Sequence, residues 1–262
     1  MRAALLAVMI AGVVCPPPTA DARTRSAKVK RSKKKAKAKA RAKQKKKQQK
    51  AKQVSRIPTK SSLRNTKNMP RGYAWPPTRQ MLAAEKACRA ELDARGIAYT
   101  PAKAEGRIVD AVTIADGAGD GAIVLGGITY HSAWRKGPHK LDCQLARVLD
   151  EFGPTLHDLG VREVTFGSIY RWTNVRVNGQ TKNILSRHAL GIAMDIVSFT
   201  DEAGRVANVK KDYPADDPLL HAIEDAVNTS HKFRTLLTPK NDPISHSDHF
   251  HLEAFVDYTA SS

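Results

Sequence analysis

Between Arg23 and Arg71 the chain has no aspartate and no glutamate, yet this stretch holds 22 of the 44 Lys and Arg residues in 262. Ala, Gln and Ser fill most of the remainder. A block of one charge repels itself and has almost nothing apolar to bury, which excludes it from a core and predicts disorder. Long apolar runs are scarce too. The stretch from Ala3 to Val14 is twelve residues, too short for a bilayer, which takes about 20. With Arg2 before it and Ala20-Asp21-Ala22 after it, it has the layout of a secretory signal peptide over residues 1–22. Cysteine is nearly absent, with three residues. Cys15 falls in the leader, where a preceding Val14 and following prolines speak against lipid attachment. Cys88 and Cys143 remain, and in an exported chain they are expected to form a disulfide.

The basic excess belongs to the tail. From residue 72 onward there are 21 basic and 24 acidic residues, so the formal +19 of the chain says nothing about the folded part, which shows no evident basic patch. Lys-Ala repeats such as Lys35-Ala36-Lys37-Ala38 resemble histone-like tails, and polycations do bind nucleic acid through its phosphates. Export places the tail instead against peptidoglycan or another anionic envelope polymer, or against lipid headgroups, where each Lys or Arg contributes about 1 kcal/mol. Tethering is the favoured reading, a solvated spacer the next, and nucleic acid the least favoured. Pro58, Pro70, Pro76 and Pro77 mark the passage out of the block. The chain thus divides into a signal peptide (1–22), a disordered Lys/Arg-rich tail and linker (23–79) and one folded domain (80–262) in the periplasm or cell envelope, with no transmembrane span in the mature protein.

Within that domain, Met81 to Leu92 has apolar residues at helical spacing, with Gly96 as a stop. Ala122 to Leu125 and Ile128 to Tyr130 read as short strands about a Gly-Gly turn. Leu141 to Leu159 reads as a second helix, broken at Gly153-Pro154. Strands are expected near 161–171 and 190–198, a third helix from Asp217-Pro218, and a strand from Phe250 to Val256 that closes the sheet. Helices segregated from antiparallel hairpins make the class α+β: a small antiparallel sheet carrying a zinc site, flanked by helices.

The chemistry lies in two motifs. Ser186-Arg187-His188-Ala189-Leu190-Gly191-Ile192-Ala193-Met194-Asp195 is answered about fifty residues later by His246-Ser247-Asp248-His249-Phe250-His251. Side chains alternate along a strand, so His249 and His251 share a face with Glu253, while Phe250, Leu252 and Ala254 face the core. Asp195 interrupts the apolar run Ile192 to Val197. A buried lone carboxylate costs several kcal/mol unless paired or coordinated, so Asp195 needs a cation, and Gly191 lets the chain bend between it and His188. Two imidazoles and a carboxylate leave a fourth position of a divalent metal open, the mark of a catalytic rather than a structural zinc.

These residues carry a resemblance. Ser-x-His-x-x-Gly-x-Ala-x-Asp followed by His-x-His is similar to the signature of the LAS metallopeptidases, which include D-Ala-D-Ala carboxypeptidases, murein endopeptidases and the hedgehog signalling domain. Within them, Ser245 to Glu253 and Ser186 to Ile196 most resemble the bacterial extensin-like C-terminal domain family, over roughly residues 85–258. The resemblance implies His188, Asp195 and His251 as ligands of Zn2+, His249 or Asp248 as general base, and His246 in a further catalytic or substrate role. It also implies Arg171, which ends the β-rich run Val164 to Trp172, as an anchor for a substrate carboxylate. Arg187 and Ile192 depart from the family pattern, which usually has Glu and Asn there, and this bears on substrate preference rather than on metal binding. The expected activity is hydrolysis of peptidoglycan stem peptides, as a D-Ala-D-Ala carboxypeptidase or D-Ala-diaminopimelate endopeptidase. The alternative is a non-catalytic zinc-containing envelope-binding module tethered by its tail. Ser-Pro repeats of a plant-wall protein are absent.

Overall fold

The computed structural model describes residues 34–44, 56–114 and 121–260. The signal-peptide reading, Cys15 and most of the Lys/Arg block lie outside the described residues. Within that block, residues 34–44 form helix α1, with every side chain exposed. Lys and Ala are both strong helix formers, and the helix makes up the described residues of its unit, Met1–Ala51.

The unit Lys52–Ser262 holds the rest. Its described residues include 56–79, read from the sequence as tail and linker. Helix α2 (Lys60–Arg64) opens with a capping box in which Thr59 and Ser62 each bond the other's backbone N–H. Leu63, Met69 and Tyr73 pack against the core. A composition-based reading underestimates this segment because its partners are distant residues, such as Asn183 and Leu185.

Helix α3 (Arg79–Ala94) is followed by β1 (Tyr99–Pro101), β2 (Ala111–Ile114), β3 (Ile123–Leu125), β4 (Ile128–Ser132) and β5 (Leu141–Asp142). Helix α4 (Cys143–Asp158) leads into β6 (Val161–Ser168), the hairpin β7 (Asn174–Val177) and β8 (Gln180–Leu185), a 3-10 turn at Arg187–Leu190, and β9 (Ala193–Asp201). Then come β10 (Val206–Asn208), α5 (Val209–Asp212), α6 (Pro218–Thr229), β11 (Phe233–Leu237) and β12 (Phe250–Ala254). The class is α+β. The main sheet runs β11-β12-β9-β6-β4-β3, with β10 beside β9. Its pairs are antiparallel except β4 with β6. β1-β2-β5 and β7-β8 form two smaller sheets.

Strand β12 does not close the main sheet. It lies between β9 and β11, a strand whose short mixed sequence gives no clear period-2 signal, and all five of its residues are buried. Helix α4 packs on the sheet through Leu145, Val148, Leu149, Phe152 and Leu156. It also runs unbroken through Gly153-Pro154. Gly153 serves packing rather than termination, since a Cβ there would collide with the backbone of Gly126 in the β3–β4 turn.

Cys88 of α3 and Cys143 of α4 form the expected disulfide. One turn before Cys88, Glu85 is buried and accepts hydrogen bonds from Tyr258 Oη (2.7 Å) and Gln144 Nε2 (3.4 Å). Burial, reinforced by nearby Asp142, pushes its carboxyl up to about 9.

Replacing both cysteines by serine should cost about 4 kcal/mol in denaturant unfolding on the chain-entropy relation for a loop of this size. Loss of no stability would mean that the bridge only joins surfaces already fixed by packing. Glu85 keeps its proton in the folded chain where the unfolded chain has lost it, so its contribution is full below pH 4.5 and disappears as pH rises towards about 9. The Glu85→Gln variant should therefore lose less stability than the wild type between about pH 5 and about pH 9, measured by urea unfolding. Parallel curves for the two proteins would refute this.

Candidate metal centre

Three adjacent strands set the site in one row. Asp195 on β9 is in register with His251 on β12 at one side and with Ser168 at the end of β6 on the other. His188 reaches the same point from the 3-10 turn. Ser186 caps that turn by accepting from the His188 N–H, and Gly191 ends it with φ +69. A side chain at Gly191 would be strained by that φ and would also crowd the Asp142 N–H. This tight exit returns His188 over Asp195.

Asp195 Oδ1 lies 3.0 Å from His188 Nε2 and 2.8 Å from His251 Nδ1, and the two nitrogens are 3.1 Å apart. The other oxygen, Oδ2, accepts from Ser168 Oγ (2.8 Å) and from Arg171 Nη2 (2.7 Å). Burial opposes the charge of Asp195, but His188, His251 and Arg171 outweigh it and hold its carboxyl well below the usual carboxylate range.

Each imidazole is oriented from behind. His188 Nδ1 is 2.6 Å from the Ile169 carbonyl, which can only accept, so Nδ1 carries the proton and Nε2 turns its lone pair on the site. His251 Nε2 faces Glu253 Oε1 at 3.3 Å, leaving Nδ1 for the site. Burial lowers the basicity of His251, but Asp195 and Glu253 together raise it to about 9. Burial likewise works against the charge of Glu253, yet bonding to His251 and the charges of Arg187 and Arg234 hold it at about 2. Bonds from a second tier of this kind fix ring orientation in metal-binding histidines.

The donor set and spacing fit a small divalent cation. Bonds of about 2.0–2.1 Å in a tetrahedral arrangement put neighbouring donors roughly 3.3 Å apart, close to the separations among His188, Asp195 and His251. One further group of potential ligand atoms gathers among the described residues, at Glu85, Cys88 and Cys143. There the two sulfurs are bonded to each other and offer no thiolate.

The remaining expected residues lie beside the trio. His249 places Nε2 3.5 Å from Asp195 Oδ1, on the same side as His251, while its Nδ1 bonds Asp248 Oδ1 at 2.7 Å. Asp248 therefore touches the site through His249. His246 lies between the other rings, 5.0 Å from His249 and 5.2 Å from His251 by centroids. Its Nδ1 bonds Asp242 Oδ2 at 3.0 Å. Burial and the neighbouring histidines push its basicity down to about 4. Arg171, expected as a substrate anchor, is engaged with Asp195, though half of its side chain is exposed. Phe250, on the opposite face, packs edge-on against Tyr213 in the core.

Sequence reasoning missed several supporting groups. Glu253 was visible on the face of His251, but its role was not. Asp242 precedes His246 by four residues, and Ser168 carries no local signal at all. Arg187, at one of the departures from the family pattern, is buried; it pairs with Glu253 at 3.5 Å and donates to the Asn68 carbonyl at 3.0 Å. A cleft of about 530 Å3 opens over His188 and His251, walled by the β7–β8 hairpin and the loop from Ile244 to His249.

The class defined here is an α+β domain with a buried histidine–carboxylate cluster at the foot of an open cleft. Residues 86–260 match the family described as Extensin-like protein C-terminus, and the chain belongs to that family. No curated protein and no solved structure matches it.

The purified chain should retain about one equivalent of zinc by elemental analysis, and His188→Ala should retain none. Glu253→Gln should weaken zinc affinity roughly tenfold to hundredfold, as loss of a second-tier partner does. Wild-type affinity in that variant would remove Glu253 from the support of His251.

Proposed function

We propose that the chain is an exported zinc peptidase of the LAS kind, acting on amide bonds in peptidoglycan stem peptides. The observation that carries this reading is the convergence of His188 Nε2, His251 Nδ1 and Asp195 Oδ1 within 3.1 Å of one another, below a cleft that also presents His249. A zinc ion held by these three would supply a Lewis acid for the scissile carbonyl and lower the pKa of a water molecule.

The chain's own groups divide the remaining work. His249 is the general base: its Nε2 takes the proton of the attacking water and returns it to the leaving amine. Asp248 is a positioning residue that holds the His249 Nδ1–H, as a carboxylate does behind a catalytic imidazole. His246, kept neutral by burial, packs edge-on against His249 and restricts its ring. Arg171 commits one amino group to Asp195, and its exposed part lines the cleft with donors left for a substrate carboxylate. The Lys/Arg-rich tail would hold the enzyme to the anionic polymer that it processes.

Incubation of the zinc-loaded full chain with murein stem peptides and crosslinked dimers, read by mass spectrometry, tests this. Release of D-Ala or splitting of the crosslink should fall at least about a hundredfold in His249→Ala and vanish in His251→Ala. No cleavage by a folded chain holding one zinc would reject the peptidase and leave the envelope-binding module.

A further inference from the structure

The cleft gathers guanidinium groups that neither composition nor motif announces. Arg56, Arg171, Arg176 and Arg234 all line it, in a unit whose acids outnumber its bases from residue 72 onward. Two of the four are neutralised. Arg171 pairs with Asp195, and Arg234 pairs with Glu253. Asp248, the other acid on the wall, bonds to His249. Arg56 and Arg176 are exposed and have no acidic partner among the described residues.

Their backbones are nevertheless held. The Arg56 carbonyl accepts from the Asn174 N–H at 3.0 Å and from Thr173 Oγ1 at 3.3 Å, which pins it to the start of β7, two residues before Arg176. The segment after Arg56 is fastened along β8: Thr59 Oγ1 bonds Asn183 Oδ1, Asn65 Nδ2 donates to the Asn183 carbonyl and Asn68 Nδ2 to the Leu185 carbonyl. At the hairpin tip the Gly179 N–H donates to Ser245 Oγ at 3.1 Å. Two free guanidiniums therefore stand on a wall secured at both ends, beside the candidate metal centre.

We infer that Arg56 and Arg176 form a subsite for a carboxylate that a peptide substrate carries away from its scissile bond. Arg56, which lies ahead of the family match, is thereby part of the substrate site. The inference rests on the peptidase reading for its ligand and extends it to substrate class: acidic peptides over neutral ones. A guanidinium presents a planar fork of donors that suits a carboxylate. A cleft of about 530 Å3 is of the size that encloses a small ligand rather than a polymer strand.

The test is calorimetric titration of the zinc-loaded full chain with a stem tetrapeptide, and with the same peptide after amidation of its non-terminal carboxylates. Amidation should weaken binding to the wild type roughly tenfold. In Arg56→Gln/Arg176→Gln, and in part in Arg176→Gln alone, the two peptides should bind alike, at the affinity the wild type shows for the amidated form. Discrimination equal to wild type in a double variant with an unchanged melting curve would overturn the subsite, as would no binding of the acidic peptide by the wild type. Hydrolysis of murein stem pentapeptides and crosslinked dimers by the same proteins is read separately by mass spectrometry. Cleavage without discrimination would remove the subsite and leave the peptidase, whereas discrimination without cleavage would keep the subsite and remove the peptidase.

Discussion

A buried carboxylate in the middle of a sheet governs the architecture around it. Asp195 sits on β9 between two other strands, where an uncompensated charge would cost several kcal/mol. Its neighbours are arranged to meet that demand: Ser168 and Arg171 take one oxygen, and His188 and His251 converge on the other. Removing the compensation would leave the charge stranded; removing the charge would leave two imidazoles and a guanidinium without their common partner. The turn at Gly191, the register of β6 against β9 and the register of β12 against β9 all serve this one group.

The support extends outward in tiers. Glu253 holds His251 from behind and is itself held by Arg187 and Arg234. Arg187 donates to the Asn68 carbonyl, and Arg234 bonds the Asn68 side chain. A chain of hydrogen bonds thus runs from the candidate ligand to the segment between α2 and α3, which precedes the family-matched residues. That segment is stabilising material for the site as well as a wall of its cleft. Trimming the chain to residue 72 or 86 would expose buried Arg187 and Glu253 to partial loss of partners, a costly condition for charged groups.

Polar groups on this side of the sheet are almost all oriented by a second polar group, and on the other side the core is apolar. Phe250, Leu252 and Ala254 alternate with His251 and Glu253 along a strand that is buried throughout. The same five residues therefore anchor the sheet to α4 and build the site. Substitutions on one face of β12 act chiefly on packing, and those on the other, where His251 and Glu253 line the cleft, on electrostatics.

Much of this was legible in the chain itself. Period-2 alternation placed His249, His251 and Glu253 together, the lone acid in an apolar strand marked Asp195, and helical spacing located α3, α4 and α6 near their observed bounds. These signals are local, since they arise from the geometry of one strand or helix. The cysteine pairing followed from having two candidates in a chain whose leader reads as an export signal. What needed the tertiary structure was every relation between distant segments. Gly153 looks like a helix breaker until Gly126 is placed against it, and residues 56–79 look like a linker until the β7–β8 hairpin lends them partners. The sequence by itself determined which residues are candidates for the site, because side-chain type and alternation are properties of the chain. Only the tertiary structure decided that Asp248 bonds His249, that Arg187 and Glu253 share one buried network, and that Arg56 and Arg176 line one cleft, because sequence separation places no bound on which charges a fold brings within a few ångströms.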